Sequence, residues 1–198
     1  MQTPQTPELD SSGGNIQTWL SFALIMTLLF GVVYPVATTL LGQALFPFQA
    51  TGSILPDNRG SSLIGQSFSA AKYFIPRPSS AGVGYDPTSA SGSNVAVSNP
   101  ALRERATASA QAIAAREGVV LEQIPADLIA ASGSGLDPHI SVAAAKLQVA
   151  RVAKARGVLE SVVLQELQKQ TEQPFLGVFG LARVNVLQLN VALDSVAR

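Results

Sequence analysis

The chain has 198 residues, of which 47% are hydrophobic and only 13% are charged. Typical globular chains carry about a quarter charged residues, so this deficit needs a structural cause. The net charge is zero and Lys and Arg form no cluster, which argues against a nucleic-acid partner. The chain contains no Cys, which excludes disulfides and thiolate metal sites.

The N-terminal part of the chain predicts a polar tail followed by a membrane span. Residues 1–16 are rich in Pro, Ser and Gly, which is typical of a disordered tail. Residues 17–43 form the predicted transmembrane helix, since 19–41 reads WLSFALIMTLLFGVVYPVATTLL and a bilayer core needs about 20 apolar residues. A cleaved signal peptide would have a shorter apolar core and a basic start, so we favour an uncleaved anchor.

Small residues and one proline mark the positions at which this span is expected to pack against another helix. Pro35 should bend the helix, because it removes one backbone donor and clashes with the preceding turn. Thr38 and Gly42 form a small-xxx-small pair, which permits close approach of a second helix. Together with Gly31, these are the predicted packing positions in the membrane.

The charges that flank the span give little information about its orientation. The residues before it include Glu8 and Asp10 but no basic residue, and the first basic residue after it is Arg59. Cytoplasmic flanks normally carry Lys or Arg. The distribution of Lys and Arg therefore gives almost no indication of orientation, and what little it gives slightly opposes a cytoplasmic N-terminus.

Residues 44–198 are predicted to form a small α/β or α+β extramembrane domain. Residues 65–99 are loop-rich, with Phe68 and Phe74 expected to pin the loops onto a core, while Tyr73 and Tyr85 could pack or face a partner. Capping signals predict helices at 100–117, 142–156 and 159–171. Strands are predicted at 127–131 and over 184–193, where apolar residues alternate.

The densest polar cluster is SGSGLDPHIS at 132–141. Ser134, Asp137 and His139 could be drawn as a triad, but neighbours in sequence rarely reach the required geometry. One His and one Asp fall short of a metal site. Amides near Gly133 and Gly135 could hold an anion at a helix start, whereas the simpler interpretation is a glycine-rich turn held by Asp137. The candidate partner-linked or nucleotide-linked residues here are Ser132, Gly133, Ser134, Gly135, Asp137 and His139.

Two further candidates lie in the predicted helix 142–156. Gln148 could bind a ligand, or it could simply be an exposed helix residue. Arg151 stands near it, and a base towards the C-terminus of a helix suits the macrodipole without any ligand. The sequence has no phosphate-binding G-x-x-x-x-G-K-[ST] loop, no G-x-S-x-G elbow and no D-K-T-G motif of a phosphorylated pump. We therefore expect no catalytic residue.

Several motifs follow the apolar segment in a fixed order: GQSF at 65–68, YF at 73–74, RPS at 77–79, SGSN at 91–94, NP at 99–100, ASGSGLDPHIS at 131–141, RVA at 151–153, RG at 156–157 and RVNVLQLNVALD at 183–194. In this order the chain resembles the C subunit of the bacterial Kdp potassium-transporting P-type ATPase, from the span to the C-terminus. The runs at 132–141 and 183–187 are specific. Where the family often has Pro, Val142 follows the His-Ile-Ser run, and a helix that starts at Ser141 tolerates either residue.

The resemblance implies three partners: a channel-like potassium-binding subunit, a P-type ATP-hydrolysing subunit and a small single-span subunit. It implies an accessory role in high-affinity ATP-driven potassium uptake, in which the chain stabilises the assembly and acts as a catalytic chaperone that raises the ATP affinity of the hydrolysing subunit. A link to ATP is implied only by this resemblance, and no tightly bound cofactor is expected. The implied location is the cell inner membrane, single-pass, with a cytoplasmic N-terminus and residues 44–198 outside the cytoplasm.

Two of these implications conflict physically, because ATP is bound on the cytoplasmic side and an outside domain cannot touch it. Indirect coupling through the span is allowed if the subunit favours one state of the pump. An outside domain could instead cover the ion entrance. The alternative hypothesis is a membrane-anchored independent domain that binds or hydrolyses a ligand with the loop 132–141.

Overall fold

The computed structural model describes residues 15–196, and the chain divides into two compact units, Met1–Gly52 and Ser53–Arg198. Most of the predicted disordered tail, residues 1–14, lies outside the described residues. Asn15 caps the first helix, since its Oδ1 accepts a hydrogen bond from the backbone N–H of Gln17 at 3.3 Å. The membrane helix therefore begins directly after this polar residue.

The first unit contains an apolar helix of 30 residues from Ile16 to Leu45. Its most apolar stretch has a mean hydropathy of 2.1, and none of that stretch is buried within the chain. The helix consists of α1 (Ile16–Leu28), a π-helical segment (Leu29–Val33) and α2 (Tyr34–Leu45), and α3 (Pro47–Ala50) follows it. Within residues 15–196 it is the one helix long and apolar enough to cross a membrane. The described residues therefore contain one N-terminal apolar helix of membrane-spanning length, which agrees with the predicted fold class.

The π-helical segment explains how the membrane helix accommodates Pro35. Proline has no N–H to donate to the carbonyl four residues earlier, so the turn before it widens. The N–H of Tyr34 donates to the carbonyl of Leu29, five residues back. Thr38 Oγ1 donates to the carbonyls of Tyr34 and Pro35 at 2.9 and 3.1 Å, so its hydroxyl is satisfied within its own helix.

The second unit combines helices with one small sheet. Its regular elements are α4 (Pro100–Glu117), α5 (Ala126–Ile129), β1 (His139–Ser141), α6 (Val142–Arg156), α7 (Glu160–Lys169), β2 (Thr171–Glu172), β3 (Arg183–Asn185) and α8 (Val186–Val196). The strands are antiparallel in the order β1-β3-β2, and Val184 lies opposite both Ile140 and Thr171. One membrane helix followed by a small α/β region confirms the predicted fold class.

Helix boundaries follow the capping residues. Asn99 Oδ1 accepts from the N–H of Ala101 at 3.0 Å at the start of α4, and Gly118 ends this helix in the left-handed conformation. Ser141 and Gly157 bound α6 in the same way, which confirms the predicted helix 142–156. The third predicted helix is confirmed as α7 but is shorter, because β2 begins at 171.

The strand predicted at 127–131 is wrong, because this segment forms the short helix α5. Pro125 stands at its N-cap, and Asp127 lies in its first turn, where a carboxylate suits the helix dipole. Leu128 alone is buried in α5. A run of apolar residues this short does not distinguish a strand from one turn of helix.

The predicted closing strand over 184–193 is also wrong for most of its length. Only Arg183–Asn185 pairs as a strand, and α8 begins at Val186. Asn185 makes the switch, because its Oδ1 accepts from the N–H of Gln188 at 3.1 Å and caps the helix. The buried residues of α8 follow a helical period: Val186, Leu187, Leu189, Asn190 and Leu193.

The core of the second unit joins its helices, the sheet and two loop residues, Phe74 and Ile124. Its buried apolar residues are Phe74, Ile113, Ile124, Leu128, Ile140, Ala144, Ala145, Val149, Val152, Ala153, Val163, Leu167, Val184, Val186, Leu189 and Leu193. Phe74 is fully buried and Phe68 packs against the cluster, which confirms that these aromatics pin the loop-rich stretch. Between 65 and 99 the only helical turn is a 3₁₀ turn, Pro87–Ser89.

Candidate functional site

Two buried amide side chains hold the backbone of Phe74 and Ile75 as a neighbouring strand would. Gln148 is fully buried; its Oε1 accepts from Ile75 N–H at 2.8 Å and its Nε2 donates to Ile75 O at 3.2 Å. Asn190 on α8 repeats this arrangement on Phe74, at 2.8 and 2.9 Å. The expectation that Gln148 is an exposed helix residue is therefore wrong, and its hydrogen-bonding groups serve the fold.

Arg151 extends this polar network into the interior. Its Nε donates to both carboxylate oxygens of Glu117, at 3.0 and 2.9 Å, and the Glu117 side chain is fully buried. Its Nη1 donates to the carbonyl of Tyr73 and its Nη2 donates to Gln148 Oε1, each at 2.9 Å. Buried charges need such partners, so the guanidinium of Arg151 joins α4, α6 and the loop that contains Tyr73.

A second charged cluster converges on Asp194, near the end of α8. Its two carboxylate oxygens pair with Arg59 at 3.1 Å and Arg156 at 3.0 Å. Tyr73 donates its hydroxyl to the same carboxylate at 3.3 Å, and its ring centroid lies 5.3 Å from that of Phe68 and 5.3 Å from the Arg156 guanidinium carbon. Tyr73, whose role the sequence left open, is thus part of an internal polar cluster.

The loop 132–141 uses its own side chains to satisfy its amides. Ser132 is buried, and its Oγ accepts from Gly135 N–H at 3.1 Å and from Asp137 N–H at 3.3 Å. Ser134 Oγ accepts from Leu136 N–H at 3.1 Å. The amides of Gly135, Leu136 and Asp137 are therefore already bonded to serine hydroxyls.

Close backbone contacts between the loop 132–141 and the loop around Gly92 explain one glycine in each loop, Gly135 and Gly92. A Cβ on Gly135 would lie 2.5 Å from the carbonyl oxygen of Ser91 and 2.7 Å from Ala81 Cβ, and its φ is +75°. A Cβ on Gly92 would lie 2.4 Å from the carbonyl oxygen of Gly133. The glycines permit two loop backbones to touch, which is a packing requirement.

The N-terminus of α6 already faces a carboxylate from within the chain. Ser141 N–H donates to Asp127 Oδ2 at 2.7 Å, and Ser141 Oγ donates to Asp127 Oδ1 at 3.1 Å. Ser141 Oγ also accepts from Ala144 N–H at 3.0 Å. Asp127 on α5 therefore occupies the position that a bound anion would take at this helix start.

Charged side chains alternate in sign across the edge of the sheet. Arg77 lies 3.2 Å from Asp137, whose Oδ1 accepts from the N–H of His139 at 3.0 Å and lies 3.2 Å from His139 Nδ1. His139 Nε2 lies 3.7 Å from Glu172, which pairs with Arg183 at 2.8 Å. The simpler sequence interpretation, in which Asp137 holds its own loop, agrees with these contacts.

Two pKa values in this region depart from their ordinary range. Burial alone would raise the pKa of Asp137. Hydrogen bonds from His139 and the charges of His139 and Arg77 lower this pKa by more than burial raises it, so the net shift is downward. Burial raises the pKa of Tyr85, assisted by the charge of Asp137 and opposed by Arg77. Tyr85 donates its hydroxyl to the carbonyl of Arg77 at 2.6 Å, so it packs as a neutral donor.

A cleft of about 690 Å³ lies beside these charges. One wall is polar and includes Arg77, Asp137 and His139. The other wall is apolar and belongs to the connection between β2 and β3, with Phe175, Phe179 and Leu181. No polar motif marks this connection in the sequence, and its only signal is a run without charges from 173 to 182.

The structure brings the candidate residues into two groups. Ser132, Gly133, Ser134 and Gly135 form one turn that leads into the cleft wall with Asp137 and His139, whereas Gln148 and Arg151 belong to the internal network. In the part of the chain that the structure describes, Ser134 makes no hydrogen bond to His139, and no group of three His, Asp or Glu residues could hold a metal ion.

Comparison with known proteins identifies relatives over nearly the whole chain. Residues 16–195 match the family model of the K⁺-transporting ATPase, c chain (KdpC). The potassium-transporting ATPase KdpC subunit of Shewanella putrefaciens is 54% identical over 182 residues, covering 90% of each chain. The KdpC subunits of Caldanaerobacter subterraneus and Geobacter sulfurreducens are 46% and 47% identical, covering 91% and 87% of this chain and 95% and 93% of theirs.

Proposed function

Because the chain belongs to the KdpC family, the c chain of the K⁺-transporting ATPase, we propose that it is the non-catalytic subunit that stabilises a high-affinity, ATP-driven potassium uptake complex. The observation that carries this proposal is the family match over residues 16–195, which includes both the membrane helix and the second unit. The partners are a channel-like potassium-binding subunit, a P-type ATP-hydrolysing subunit and a small single-span subunit.

Isolation of the chain from gently solubilised membranes would test the assembly role. The chain should copurify with two large membrane subunits, and its deletion should lower their recovery as a complex. Recovery of the wild-type chain as a stable monomer, from membranes that contain the other subunits, would overturn the proposal.

The proposal places the protein in the cell inner membrane with the N-terminus in the cytoplasm and the second unit outside it. Ser134 is exposed, and the chain contains no Cys, so Ser134→Cys provides a single labelling site. A membrane-impermeant maleimide should label this variant in intact cells. Labelling only after lysis would place the second unit inside and contradict the proposed orientation.

The proposed function also includes catalytic chaperoning, in which the chain raises the ATP affinity of the hydrolysing subunit. In the proposed orientation the second unit cannot touch ATP, so a rise in ATP affinity must come from favouring one state of the pump through the span or through the ion entrance. The internal bonding of Gln148 and Arg151 supports this indirect role, because neither side chain is free to hold a nucleotide.

The KM for ATP of the complex checks this part directly. Removal of the chain from the purified complex should raise the KM, and adding the chain back should restore it. An unchanged KM would leave assembly as the function and would rule out the chaperone role.

A further inference from the structure

The connection between β2 and β3 forms an ordered tip, residues 174–182, that we call the apolar tip. Phe175 and Phe179 exchange two backbone hydrogen bonds, each of 2.9 Å. Gly177 N–H donates to the carbonyl of Pro174 at 2.9 Å, and Val178 N–H donates to that of Phe175 at 3.2 Å. The tip therefore satisfies much of its own backbone and presents its side chains from a defined turn.

The side chains of the apolar tip are large, apolar and almost uncovered. They are between 66% and 87% exposed: Phe175, Leu176, Val178, Phe179 and Leu181. Phe175 and Phe179 alone expose on the order of 300 Å², since an aromatic side chain carries about 150–250 Å². With the three aliphatic side chains added, the tip reaches the size of the exposed apolar patches that mark interaction sites, which is about 300–600 Å².

Leu176 adds a sign that the tip is preorganised. Its φ is +53°, a left-handed conformation that a leucine rarely adopts and that glycine would adopt without strain. The turn nevertheless holds a leucine there with its side chain in solvent. Strained residues are enriched at binding sites, so the conformation of Leu176 motivates a docking hypothesis, although five other non-glycine residues among those described share a positive φ.

The charges around the apolar tip favour a protein partner over a lipid surface. Anionic bilayers attract clusters of Lys and Arg, and the tip itself contains no charged residue. The charges beside it are of mixed sign, two arginines against three carboxylates: Arg77, Arg183, Asp127, Asp137 and Glu172. A charge-free apolar centre with a polar rim of both signs is the anatomy of a protein–protein interface.

We propose that the apolar tip is a docking element that inserts into an apolar, charge-free recess on another subunit of the transport complex, with the polar wall at Asp137 and His139 as its rim. This inference rests on the proposed function, because it takes the partner from the same complex. Phe179 and Leu176 are the central anchors, and the cleft beside the tip receives the edge of the partner.

Photo-crosslinking in the assembled complex tests the contact directly. Phe179→p-benzoylphenylalanine should crosslink to another subunit of the complex, identified by mass spectrometry. Val97 lies on a separate loop and is 94% exposed, against 66% for Phe179, so the same probe at Val97 is a control that is at least as accessible and should give no such product. Crosslinks from position 179 only to lipid, only to a second copy of this chain, or no more than from position 97 would overturn the proposal.

Rebinding measures the strength of the contact. The variant L176S/F179S should rebind to complexes depleted of this chain with a dissociation constant raised about tenfold or more, as central interface anchors commonly do. V97S should rebind as wild type. Equal dissociation constants for the tip variant and V97S would overturn the proposal.

Leu176→Gly separates docking from folding. Glycine relieves the left-handed strain, so the unfolding midpoint should stay the same or rise, whereas rebinding should weaken. Unchanged rebinding would contradict the role of Leu176. If the wild-type chain itself does not associate with the other subunits, the proposed function fails; if the wild type associates and the tip variants do so equally well, only this inference fails.

Discussion

The two walls of the cleft differ in how much of their chemistry is already used. The polar wall, to which the motif 132–141 and Arg77 contribute, has most of its hydroxyls and charges bonded within the chain, although Arg77 Nε is buried without a hydrogen-bond partner among the described residues. The apolar wall, residues 174–182, has self-bonded backbone but uncovered side chains. A dense polar motif can therefore be scaffold, while a plain apolar turn carries the free surface.

The largest expected effect tests whether the internal polar network holds the fold. Gln148→Leu removes both hydrogen bonds to Ile75 and the one from Arg151, leaving buried polar groups unpaired, so the free energy of unfolding should fall by about 3 kcal/mol. Urea unfolding of the full chain in detergent, followed by circular dichroism, measures it. Gln168→Leu, at an exposed position of α7, is the control; equal losses for the two variants would contradict the scaffold role.

Next in size is the contact between the two loop backbones. Gly135→Ala places a Cβ against the carbonyl of Ser91 in a left-handed conformation, so it should cost about 2 kcal/mol. Gly133→Ala meets no atom within 4 Å, so it should cost much less. The same urea titration compares the two variants, and a Gly135 variant as stable as the Gly133 variant would show that the loops move apart freely.

The charge of Asp137 should give a smaller, pH-dependent effect. Its folded pKa is lowered below 3.8, so its stabilisation is present above the unfolded pKa and is lost as the pH falls through the folded pKa. Relative to Asp137→Asn, the wild type should be more stable at neutral pH by less than about 1 kcal/mol, since the group is partly exposed. Unfolding at pH 7 and at pH 3 measures this gap, and a gap that does not shrink on acidification would refute it.

The smallest expected effect on stability belongs to the apolar tip. Leu181→Ser removes an exposed side chain, so the free energy of unfolding should change by no more than about 0.5 kcal/mol. Thermal unfolding of the full chain checks it. A loss comparable to that of Gln148→Leu would mean that the tip supports the fold, and the contrast between the two walls would disappear.

Much of the fold could be predicted because its signals are local. The membrane helix follows from an uncharged apolar stretch, and the ends of α4 and α6 follow from Asn99, Gly118, Ser141 and Gly157. The errors at α5 and α8 share a cause. Short apolar runs fit either a strand or a helix. At α8 the deciding signal is the local N-cap from Asn185 to Gln188, which the alternation of apolar residues obscured, and Asn185 is itself held by a tertiary hydrogen bond from its Nδ2 to the carbonyl of Ser62.

The candidate site was predicted less well, because pairing cannot be read from one sequence. The sequence offers Gln148 as a ligand candidate or an exposed helix residue, and Arg151 as a base that suits the helix dipole. Only the fold shows that their partners are 73 and 34 residues away, at Ile75 and Glu117. The apolar tip was missed because it carries no polar motif. A run of ten uncharged residues between Gln173 and Ala182, too short to span a membrane, was the available signal.

The cluster at Asp194 has a consequence for the order in which the protein is made. Arg59, Tyr73 and Arg156 all precede Asp194 in the chain, so they leave the ribosome before the carboxylate that joins them. The Arg156 side chain is only 3% exposed in the finished fold, so a chain that ended before Asp194 could reach this arrangement only by burying the charge without its acid. We therefore expect this part of the second unit to close only after α8 has been made.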